Sequence, residues 1–133
     1  MIKEIGLETS ERTQFKNITQ ILSKEVSSSG IKEGCCRVYV PHTTAGVTIN
    51  ENADPSVMED IKHYLDKNIP WSDSSYTHAE GNSAAHIKSS LMGASAEVPV
   101  TGGELKLGTW QGIYFCEFDG PRRRIIWVKV IEG

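Results

Sequence analysis

The chain has 133 residues, a mass of 14.7 kDa, a net charge of −3 and a pI near 5.8. That length predicts one domain, residues 1–133, able to bury a real core. The acidic balance disfavours a general nucleic-acid partner. No apolar run reaches the ~18 residues of a membrane span, and the N-terminal stretch has no signal-peptide core. Three cysteines, two of them adjacent, make a poor disulfide framework. The expectation is a cytoplasmic protein with reduced, buried and inert thiols.

Taken in chain order, Ile2 to Glu8 alternates apolar and polar residues and predicts an edge strand. Asn17 is placed to cap a helix from Ile18 to about Ser28, with Ile18, Ile21, Leu22 and Val26 as its apolar stripe and Gly30 as its stop. Cys36 to Val40 predicts a strand that delivers His42 at its end, and Ala45 to Asn50 a partner strand. Asp54 is placed to cap a second helix, with Pro55 in its favoured first position and Val57, Ile61 and Leu65 on one face. Pro70 stops it, and residues 71 to 81 read as loop. Asn82 or Ser83 starts a short third helix to Leu91, closed by Gly93.

Strand patterns fill the rest. Glu97 to Val100 precedes the turn Thr101-Gly102-Gly103, and Leu105 and Leu107 alternate. Ile113 to Phe118, the turn from Asp119 to Arg122, and Ile125 to Ile131 read as a strong hairpin. The last strand is apolar on both faces and is expected centrally in the sheet. Strands with inserted helices predict an α+β fold, with a mainly antiparallel sheet or sandwich and two to three flanking helices.

The chemistry concentrates in His78-Ala-Glu80-Gly-Asn82-Ser-Ala-Ala-His86, with His42 upstream in Pro41-His42-Thr43-Thr44. Asn82 and His86, four apart, share a helix face. His42, His78 and His86 with Glu80 would suit zinc or another first-row metal with one open position. The spacing lacks a tight metal motif, and the plainer alternative is a backbone-bonded helical His86 beside a solvated His78. His63, in a charged helix, is expected on the surface, as is Asp60.

The Thr43 and Thr44 hydroxyls are either ligands for a phosphate oxygen or ordinary strand residues. Asn50-Glu51 sits at a strand-to-helix junction, where Glu51 is a candidate general base. Trp110-Gln111, between Gly108 and Gly112, offers a stacking surface and an amide reader, or else a structural bulge. Arg122, Arg123 and Arg124 follow a turn, with Arg122 and Arg124 on one strand face. They are either a phosphate fork or a salt-bridged end with Glu117 and Asp119.

Pro41-His42-Thr43-Thr44-Ala45, Asn50-Glu51-Asn52-Ala53-Asp54, His78 to His86, Leu107-Gly108-Thr109-Trp110-Gln111 and Glu117-Phe118-Asp119-Gly120-Pro121-Arg122 together resemble the YjbQ family. Five motifs in order cover almost the whole chain. The resemblance implies a compact α+β domain with a sandwich-like core, assembled as a homotrimer. It also implies a weak thiamine-phosphate synthase activity, in which hydroxymethylpyrimidine diphosphate joins a thiazole phosphate and pyrophosphate leaves. By match, His42, Glu51, His78, Glu80, Asn82, His86 and Gln111 form the pocket. A divalent metal, magnesium or zinc, would hold the diphosphate of such a small phosphorylated substrate. Two rivals stand beside this transferase: a metal-dependent hydrolase of a small phosphorylated or amide substrate, and a ligand-binding trimer without turnover.

Overall fold

A computed structural model of the chain describes residues 1–133. Its elements in chain order are β1 (Lys3–Glu8), β2 (Gln14–Asn17), α1 (Thr19–Ser29), β3 (Gly34–Tyr39), β4 (Ala45–Glu51), α2 (Pro55–Asn68), α3 (Ser83–Met92), β5 (Ser95–Thr101), β6 (Glu104–Leu105), β7 (Gln111–Glu117) and β8 (Arg123–Glu132). The strands make two antiparallel sheets, a five-stranded one in the order β1-β8-β3-β5-β6 and a three-stranded one in the order β2-β7-β4. This is the α+β class expected.

The main core lies between the sheets. Leu7, Val38, Ile126 and Val128 from the larger sheet meet Val47, Ile113 and Phe115 from the smaller. Helix α1 and its N-cap add Leu22, Val26 and Ile18, all 1% exposed or less. A second cluster joins Leu65 of α2 and Ala85 of α3 to Cys116 and Phe118 on the outer side of the small sheet. Strand β7 is therefore buried on both faces, from Gly112 to Glu117. Burial along β8 alternates instead. The doubly buried strand is β7, because only the smaller sheet carries α2 and α3 on its outer side. Strand β8 is interior in the other sense, hydrogen-bonded to β1 and β3 along both edges.

Two expected pairings are corrected. The 113–118 and 125–131 segments do not form a hairpin: β7 pairs with β2 and β4, while β8 pairs with β1 and β3. The strands of β3 and β4 are likewise in different sheets. Each connection carries the chain across the core, so that alternate apolar residues face their sequence neighbours through side-chain packing. Strand β2, with the polar sequence Gln-Phe-Lys-Asn, carries no strand pattern and was not expected. Leu107 falls outside β6.

The caps divide. Asp54 accepts from Ser56 N at 2.9 Å, with Pro55 opening α2. Asn17 lies one residue before the N-cap Ile18, yet its side chain accepts from Thr19 N at 3.0 Å. Asn82 stands at the α3 N-cap, but its side chain makes no capping bond. Cys36 and Cys116 are buried and Cys35 is partly so. Burial pushes the Cys36 thiol up to about 11 and raises that of Cys116. No helix is long and apolar enough to cross a membrane.

Candidate functional site

The connector between β3 and β4 and the start of β8 meet at one end of the sandwich. There they line an open cleft of about 580 Å³ with His42, Thr43, Thr44, Arg122 and Arg124, beside Tyr39 and Trp127. Arg124 points inward and is 3% exposed. Its Nε donates to Glu117 Oε1 at 2.9 Å, and its Nη2 donates to Glu117 Oε2 and to Thr44 Oγ1 at 2.9 Å. The other terminal nitrogen, Nη1, has no partner within the chain. Glu117 is fully buried and also accepts from Thr9 Oγ1 at 2.8 Å and Asp119 N at 3.0 Å. Burial alone would raise its carboxyl; the Arg124, Asp119 and Thr9 donors outweigh it and hold the group below its ordinary 4.5.

His42 is half-buried. Its Nε2 lies 3.0 Å from Ile125 N and 3.1 Å from Ile125 O. Burial lowers its pKa below the usual 6.5, and the Arg124 charge adds to this; the Ile125 carbonyl and Glu117 push the other way and lose. A neutral ring that accepts from Ile125 N carries its proton on Nδ1. Tyr39 and Trp127, paired across β3 and β8, stack with centroids 5.8 Å apart and rings 13° from parallel. They are 45% and 37% exposed, a flat aromatic wall left open to solvent.

His78 and His86 come together elsewhere. Their rings are 5.1 Å apart and nearly perpendicular, beside Ser75, Tyr76 and Ser83. Glu80 Oε1 is 3.9 Å from His78 Nε2 and largely exposed. His42 lines the other cleft and not this depression, so a single chain brings together two of the three expected histidines. The reason is topological: His42 rides on the end of β3 and the pair flanks the start of α3. No group of three His, Cys, Asp or Glu residues converges on a metal position within the chain.

Asn82 links the two neighbourhoods. It is 8% exposed, and its Nδ2 donates to Asp119 Oδ2 at 2.9 Å. The same oxygen accepts from Arg122 Nη2 at 3.1 Å. Asn82 Oδ1 is buried without a partner. Arg122 and Arg124 form the salt-bridged end that the sequence offered, with Asp119 and Glu117, and both also line the cleft.

The other expected walls lie outside both depressions. Glu51 Oε2 accepts from Ala53 N at 3.1 Å and Asp54 N at 3.3 Å, and Asn50 Oδ1 from Glu51 N at 2.8 Å, so both shape the turn into α2. Gln111 Oε1 accepts from Gly108 N at 2.8 Å and closes its own loop, while Trp110 is 63% exposed. His63 and Asp60 are exposed, as expected. Among the cleft residues, Tyr39 and Trp127 are not marked as ligands by the sequence, whereas Arg124 belongs to the candidate arginine fork. Strand parity hides the aromatic wall, since Arg124 and Trp127 lie on opposite faces of β8 and yet both line the cleft.

A family model described as "UPF0047 protein YjbQ-like" matches residues 3–133. The UPF0047 protein YugU of Bacillus subtilis is 49% identical over 131 residues, covering 98% of this chain and 99% of that protein. A UPF0047 protein of Methanocaldococcus jannaschii is 51% identical over 133 residues, covering 98% and 94%. A crystal structure of an uncharacterised yjbq/upf0047 protein from Clostridium acetobutylicum superimposes with a TM-score of 0.94 at 56% identity, over 97% of this chain and 99% of that one. A YbjQ-like protein of unknown function from Sulfolobus solfataricus gives a TM-score of 0.93 at 34% identity, over 100% and 97%. With the match spanning nearly every residue in sequence and in fold, the chain belongs to the YjbQ-like UPF0047 family.

Proposed function

We propose that the His42 cleft binds a small phosphorylated molecule with a planar ring, and that the protein is a transferase similar to a secondary thiamine-phosphate synthase. The observation that carries this reading is the pairing of two kinds of surface at one cleft. Arg122, Arg124 Nη1, His42 and the Thr43 hydroxyl offer donors to a diphosphate. The Tyr39–Trp127 stack offers a flat apolar surface to a pyrimidine. In the reaction, the thiazole nitrogen attacks the methylene carbon of the pyrimidine diphosphate. The carbon–oxygen bond to the diphosphate breaks, and pyrophosphate leaves with the electron pair. Arg122 and Arg124 would hold that developing charge, which a fixed cation does without reorganising.

The protein's own ligands suit a metal poorly in this cleft. Glu117, its nearest buried carboxylate, spends both oxygens on Arg124, Thr9 and Asp119. A metal-dependent hydrolase is disfavoured here as well, because no carboxylate lines the cleft to act as base. That lining favours, as a second reading, ligand binding without turnover, in a monomer or in the trimer that the family resemblance implies. The test is to incubate purified protein, free of contaminating synthase, with hydroxymethylpyrimidine diphosphate and thiazole phosphate across magnesium concentrations. Thiamine phosphate formed by the wild type and lost in Arg122→Gln supports the transferase. Saturable binding of the diphosphate with no product at any concentration moves the assignment to the binding protein.

A further inference from the structure

The segment joining β1 to β2 and the helices α2 and α3 enclose a second cavity, of about 410 Å³. Lys88 of α3, Lys62 and Asp66 of α2, Arg12 and Glu11 of the joining segment, and Trp71 line it. None of them belongs to the His42 cleft or to the His78–His86 depression.

Lys88 is the informative member. It is 3% exposed, and lysine is almost never that deep without a partner. Its Nζ donates to Asp66 Oδ1 at 2.6 Å, and Asp66 also accepts from Thr13 Oγ1 at 3.3 Å. An ammonium has three donors. No second protein acceptor reaches this one, so two donors are unspent in the wall of a cavity. Buried donors in native proteins are otherwise satisfied by protein, water or ligand. Arg12 is held in place from the other side, its guanidinium carbon 4.2 Å from the centre of the Trp71 ring. Lys62 Nζ stands 3.9 Å from Glu11 Oε1, a loose surface pair. Three cations against two carboxylates leave one positive charge uncompensated.

We propose that this cavity is a second small-molecule site, for a hydroxylated metabolite that carries a phosphate group. Lys88, Lys62 and Arg12 take the phosphate; Asp66 and Glu11 accept from the hydroxyls. The proposal stands apart from the transferase reading, since the two cavities share no residue.

The test is a titration of the full-length ¹⁵N-labelled protein with inorganic phosphate and with ribose 5-phosphate at constant ionic strength, followed residue by residue. Saturable shifts at the Thr13, Lys62 and Lys88 amides and the Trp71 indole are expected, larger in affinity for ribose 5-phosphate. The Arg12→Gln/Lys62→Gln variant alters side chains at the solvent edge and keeps the fold; it is expected to weaken binding at these residues at least about tenfold, a factor equivalent to ~1.4 kcal/mol. Lys88→Met is expected to abolish it; if that variant does not fold, the surface pair decides. Shifts confined to Thr44, Arg122 and Ile125 would support the His42 cleft and overturn the second site. Shifts here that survive Arg12→Gln/Lys62→Gln unchanged, or no saturable shift with either probe, overturn it as well.

Discussion

Arg124 and Glu117 meet between the two sheets, seven residues apart in sequence and on strands that never pair. A buried pair of this kind contributes modestly against a well-packed apolar substitute, but losing one partner strands the other charge. Arg124→Met is therefore expected to lower unfolding free energy by about 3–5 kcal/mol in urea titrations, and Arg124→Met/Glu117→Leu by clearly less. The pH dependence gives a second check. Glu117 is held below 4.5, so its contribution to stability is fully present above pH 4.5 and is lost as pH falls through the folded value. In Arg124→Met the largest of the effects holding it down is gone, and the acid-side loss carried by Glu117 should vanish from a comparison of denaturation midpoints. His42 follows the opposite chemistry with the same direction of loss. Its folded pKa lies below 6.5, so its neutral form is favoured, and stability present above pH 6.5 falls as pH drops through the folded value. An imidazole titration by proton NMR is expected to place His42 below 6.5; a midpoint above it would remove the neutral-ring account of the cleft.

Among the elements, helix α3 packs tightly on β4. Ser89 Oγ donates to Ala45 O at 2.6 Å, and a Cβ added at Gly46 would lie 2.7 Å from Gly93 O and 3.1 Å from Met92 Cβ. A backbone carbonyl cannot turn aside as a flexible side chain would. Gly46→Ala is thus expected to cost about 1–3 kcal/mol by overpacking, read by chemical denaturation. Helix boundaries were legible because α2 announces itself through Asp54, Pro55 and an apolar face, and α1 through Leu22 and Val26. The sheet partners were not. Period-two alternation specifies which face of a strand is buried, yet says nothing about which strand lies beside it. Both the β3–β4 and β7–β8 connections look like hairpins by that criterion, and both cross the core. The polar strand β2 is ordered by pairing with β7, a neighbour far away in sequence.

At the scale of the whole molecule, the sequence marked the histidines correctly as polar, glycine-flanked groups but could not divide them. His78 and His86 are close in sequence and meet; His42 depends on where β3 ends, which only the sheet topology decides. Tyr39 and Trp127 escaped because an aromatic pair on neighbouring strands is ordinary in a sheet until its exposure is known. The separation is itself testable by double-mutant cycles. His42→Gln and His86→Gln share no hydrogen-bond partner, so their effects on unfolding free energy should add to within about 0.5 kcal/mol. Asn82→Ala and Arg122→Gln both remove a donor from Asp119 Oδ2. Their effects should couple by more than that, because the first loss already leaves the carboxylate under-bonded and the second removes its remaining side-chain partner. A cycle in which His42 and His86 couple strongly while Asn82 and Arg122 do not would require both histidines to act on one centre, and would return the three-histidine site that the fold of a single chain keeps apart.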